Sequence, residues 1–162
     1  PALDEAAARP SSLLAVQLWD AILVCFAFLE VMGVFGTSLP AIVQVLSALQ
    51  GATFMASIVI VMMALTRRLA WVRVAQLVVF AVSAGFIAAA STTQVIRGGA
   101  DPSTLPGAAL VVLLDLVAIV LLISVKIRGW YVLPGTMPAW MRGTIALWLA
   151  GCLAAIVAEA LA

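Results

Sequence analysis

Four carboxylates stand inside apolar runs: Asp20, Glu30, Asp115 and Glu159. An ionisable side chain at the centre of a bilayer-spanning helix costs ~2.5–3.5 kcal/mol on insertion scales, so it reads by default as a functional group. Asp115 is the sharpest case. It is the sole charge in the apolar core of PGAALVVLLDLVAIVLLISVKIR, residues 106–128. Every basic residue, by contrast, lies at or near the end of an apolar run. No Lys or Arg of this chain stands at the depth of Asp20 or Asp115 to neutralise it.

Depth makes these two acids a candidate pair. At 1.5 Å per helical residue, Asp20 lies ~12 Å from the basic end of its run and Asp115 ~15 Å. Gln17 is one turn from Asp20, and Gln76 lies ~9 Å deep on another run, so amide partners are near. Two carboxylates at one level in a low dielectric can share a proton, hold a cation or relay a proton. Three readings are open. The acids form such a site; or each is neutral and hydrogen-bonded as a packing device; or Asp115 meets a base on a partner chain. A second candidate cluster, Glu30, Glu159 and Arg97, lies ~27–30 Å from the same end. An ion pair there competes with plain solvation among headgroups, and such a pair contributes little.

Other chemistry has little to rest on. The chain has no His, which removes imidazole metal or haem ligation and His-based acid–base catalysis. Cys25 and Cys152 lie in separate apolar runs with no C-x-x-C motif. No cofactor, metal or catalytic residue is expected, and an enzyme here would depend on carboxylates alone. On the second run, Gln50, Thr53 and Ser57 share a face at i, i+3 and i+7. Interhelical packing is the favoured role of such residues, ahead of a hydrophilic path.

The elements that must position these acids are membrane helices. Of 162 residues, 66% are hydrophobic and 9% charged, where a soluble domain is nearer half and a quarter. The spacing predicts an all-α polytopic bundle, a single transmembrane domain over 1–162, with five helices at about 12–35, 40–66, 70–96, 106–127 and 139–161. Ser11 or Ser12 suits the first N-cap. Ser38 and Pro40 suit the start of the second helix. Short polar or Pro/Gly-rich links make successive helices antiparallel neighbours. Arg9, Arg67, Arg68, Arg73, Lys126, Arg128 and Arg142 fall on one side of such a bundle, and Arg97 alone on the other. That bias places the N-terminus in the cytoplasm and the C-terminus outside. Trp71, Trp130 and Trp140 form an inner aromatic belt. The lead PALDEAAARP has no basic n-region, so no cleavable signal is expected.

In size alone the chain resembles the tryptophan-rich translocator proteins, but their paired Trp-Pro signatures are absent. The expectation is a small protein of the plasma (inner) membrane, bacterial by its Arg-over-Lys and Ala/Val/Leu usage. Its role is that of an accessory or structural subunit of a larger membrane complex, without its own cofactor. The alternative is a small oligomeric proton- or cation-coupled transporter or channel that uses the intramembrane carboxylates. Its partners are the lipid bilayer and other membrane subunits or copies of itself. A net charge of +1 gives no footing for nucleic acid.

Overall fold

A computed structural model describes residues 9–36, 41–98 and 102–161. The described residues are helical apart from short links. They form α1 (Ser12–Val34), α2 (Ala41–Ala64), α3 (Ala70–Ile96), α4 (Leu105–Ile123), α5 (Val125–Trp130) and α6 (Ala139–Leu161). A 3₁₀ turn, Leu65–Arg67, closes α2. Four helices, α1 to α4, are each long and apolar enough to cross a membrane. Ser38 and Pro40, expected to open the second helix, and the side chain of Glu159 lie outside the described residues.

α1 packs along α2 and α3 along α4, as short links require of antiparallel neighbours. α2 also touches α3, and α4 touches α1, so four helices close a ring. α6 lies against α2 and α3. A close approach falls at Gly51 of α2. A Cβ there would overlap the Cγ2 of Val31 on α1. Small residues of this kind let membrane helices come close.

The distribution of polarity is the reverse of a soluble bundle. Leu14, Leu18, Phe28, Leu29 and Met32 of α1, and Phe35 just past its end, face outward. So do Leu113, Leu116 and Val120 of α4. The interior instead encloses Asp20, Ser57, Gln76, Ser83 and Asp115. Water would not tolerate so much apolar surface around a polar centre, whereas hydrocarbon favours it.

The fourth helix departs from the expected straight run over 106–127. It ends at Ile123, and Ser124 turns away with φ −53° and ψ 145°. The reason lies in the change of composition. Residues to Ile123 are suited to hydrocarbon, while Lys126 and Arg128 need a polar setting. A break at Ser124 separates α5 from α4, and Ile127 of α5 is fully buried.

That end is sealed. The links after α2 and after α5 meet in a short parallel bridge between Leu69 and Leu133. Ala70 N donates to Leu133 O at 3.0 Å, and Leu133 N to Arg68 O at 3.1 Å. The Tyr131 hydroxyl donates to Leu65 O at 2.8 Å. Arg68 adopts a left-handed conformation, φ 55°, which costs a non-glycine residue ~1–2 kcal/mol. Its Nε donates to Trp130 O at 3.2 Å, and its guanidinium sits 4.7 Å over the Trp130 ring. These contacts hold the strained residue in place.

Candidate functional site

Asp20 and Asp115 are both completely buried, on α1 and α4. The two carboxyl groups are close enough for their charges to interact. Each accepts one strong hydrogen bond. Gln76 Nε2 on α3 donates to Asp20 Oδ1 at 2.6 Å. Trp19 Nε1 on α1 donates to Asp115 Oδ1 at 2.7 Å. Ser83 on α3 supplies a further side-chain hydrogen bond to Asp115. Gln76 and Ser83 are two turns apart on one face of α3, so one helix serves both acids. Trp19 directly precedes Asp20, so α1 presents an acid to α3 and a donor to α4.

The hydrogen-bond balance of this cluster does not close. Asp20 Oδ2, Asp115 Oδ2 and Gln76 Oε1 are buried without a partner. All three are acceptors when the acids are ionised. Exchanging O and N at Gln76 gives no relief, because Asp20 Oδ1 would then face an oxygen. An unpaired buried polar group costs ~1–3 kcal/mol, and more when charged. The cluster is therefore short of donors or positive charge. A proton on one or both acids, a buried water, or a small cation supplies what is missing. Among the described residues no cluster of three His, Cys, Asp or Glu offers a metal a fuller ligand set.

The remaining sequence candidates are placed as follows. Gln17 does not join the acid pair. It accepts from Arg9 and donates to Met62 O at 3.5 Å, near the sealed end. Glu30 lies on the wall of a cavity. Arg97 is exposed past the end of α3, and among the described residues it forms no ion pair with Glu30. Thr53 and Ser57 bond back to the carbonyls of Gln50 and Thr53 in their own helix, both at 2.8 Å. Gln50 reaches Cys152 Sγ on α6 at 3.5 Å.

Above the acid pair, away from the sealed end, is a cavity of about 800 Å³. All five long helices contribute to its wall. Trp19 and Ser83, the two side chains bonded to Asp115, both line it. Asp115 thus sits directly behind the cavity floor. The role of Trp19 was not read from sequence, although its place beside Asp20 was the signal available. Comparison with known protein families, curated proteins and solved structures finds no match for this chain.

Proposed function

We propose that this protein is a small proton- or cation-coupled membrane transporter, with Asp20 and Asp115 as the coupling site. The observation that carries the reading is the buried acid pair with its Gln76 neighbour, which together leave three acceptor oxygens unpartnered, with no ion pair to a base among the described residues. Such a pair gains or loses a positive charge with a large change in local balance, as coupling requires. The surroundings support it. A cavity leads to Trp19 and Ser83, these hold Asp115, and Asp20 and Gln76 follow. Tyr131 lies near enough to Asp20 for its charge to be felt, and its hydroxyl is engaged at the sealed end. A cavity open on one side of a buried charge site and closed on the other is the arrangement alternating access needs.

The topology that fits is five crossings, with α6 as the fifth. Its 23 residues reach ~35 Å, enough for a hydrocarbon core of ~30 Å. The basic sealed end then faces the cytoplasm and the cavity faces outward, in a bacterial plasma membrane. A second reading, an accessory subunit of a larger membrane complex, draws on the broad apolar outer face of α1, which another subunit can cover as well as lipid.

The test is flux. Purified protein reconstituted alone into vesicles dissipates an imposed pH gradient, or an imposed sodium gradient, and Asp115→Asn abolishes this. Unchanged flux in that variant removes the carboxylate site. A protein that is inert alone and co-purifies with fixed partners favours the subunit reading.

A further inference from the structure

We propose that the 800 Å³ cavity binds a lipophilic organic cation, held by aromatic faces and the Glu30 carboxylate. This deepens the transport reading, on which it rests for what binding achieves, by naming the class of molecule carried. The volume lies within the ~300–1,000 Å³ of sites that enclose drug-sized molecules.

The lining sets the chemistry. Five aromatic rings face the space: Trp19, Phe26, Phe54, Phe86 and Trp148. Phe54 and Trp148 are stacked, with ring centres 5.0 Å apart, and form one wall across α2 and α6. Ring faces carry negative potential and attract cations, most strongly where water is excluded. Among the described residues, Glu30 is the one charged side chain on the wall, and no Lys or Arg lines it. A neutral ligand leaves that carboxylate unanswered, and an anion is repelled by it. A cation answers it and the ring faces together. Asp115 behind the floor adds negative potential whenever it is ionised, so binding and loss of its proton favour one another.

The entrance argues for a lipophilic ligand. Phe26 of α1 and Leu110 of α4 line the cavity and are each about half exposed, 51% and 55%. They stand on the outward surface that hydrocarbon covers. A ligand that reaches the cavity from the bilayer past such side chains carries its charge on a largely apolar body.

The probe is tetraphenylphosphonium, with tetraphenylborate as its anionic counterpart of the same shape. Purified protein in detergent is titrated with each, and quenching of tryptophan emission is read, because Trp19 and Trp148 line the cavity. The phosphonium quenches saturably and the borate does not. Glu30→Gln weakens phosphonium binding about tenfold, as expected for loss of a close charge partner beside largely apolar walls. Glu30→Asp, which keeps the charge, retains it. Equal quenching by both ions overturns the assignment and marks the cavity as a place for a lipid chain. Phosphonium affinity unchanged in Glu30→Gln also overturns it. The two proposals fail separately. Phosphonium binding without gradient-driven flux sinks the transport reading alone, and flux that needs Asp115 without phosphonium binding sinks the ligand alone.

Discussion

Asp115 keeps its indole partner at 2.7 Å even though both residues are fully or nearly buried. The pairing ties α1 to α4 through a side-chain hydrogen bond. Replacing Trp19 by Phe keeps most of the apolar volume and removes the N–H. Asp115 Oδ1 then keeps only Ser83 as a donor, and the lost hydrogen bond costs on the order of 1 kcal/mol. We expect Trp19→Phe to lower the thermal midpoint in detergent, and to lower it less when Asp115→Asn is also present. Additive effects of the two substitutions would place Trp19 outside the acid cluster. From the chain alone, the absence of a matching base and the common depth of Asp20 and Asp115 could be read, because they depend on spacing. That the indole beside Asp20 turns to the other acid depends on helix rotation, which spacing does not encode. Gln17 and Gln76 show the same limit. Both lie near the acids in depth, yet only Gln76 points at one.

At the scale of elements, α1 and α2 depend on their close approach at Gly51. Gly51→Ala places a methyl against Val31, a stiff β-branched side chain. Overpacking of this kind costs ~1–3 kcal/mol. Gly51→Ala should lower thermal stability, and Val31→Ala should restore part of the loss in the double variant. No loss in the single variant would mean that the two helices do not meet there. The sealed end gives a second expectation. Burial pushes the Tyr131 phenol well above its ordinary value of 10.0, so the folded protein keeps it neutral. It is the one Tyr in the chain, so phenolate absorbance reports it alone. The folded protein should show no phenolate at pH 10. The unfolded chain ionises there, so this residue's contribution to stability is full below pH 10 and falls as pH rises above it. A phenolate signal near pH 10 in the folded protein would show the end to be open. The helical, apolar nature of the long elements was plain in the sequence. The break at Ser124 was not, because hydropathy changes gradually there while the backbone turns at a single residue.

For the whole molecule, the asymmetry between a basic, sealed end and a cavity-bearing end is the main result. Seven basic residues flank the sealed end and Arg97 stands at the other. If the sealed end is cytoplasmic, single cysteines placed at Arg128 and Arg97 in a background lacking Cys25 and Cys152 should differ in intact cells. An impermeant thiol reagent labels Arg97→Cys and spares Arg128→Cys; the opposite pattern would invert the orientation.

The most direct test of the central claim is the decay of an imposed proton or sodium gradient in vesicles containing the protein, compared for wild type, Asp20→Asn, Asp115→Asn and the double variant. If the two acids form one coupling site, each single substitution abolishes flux and the double variant is no worse. Full flux in either Asn variant would contradict a shared site.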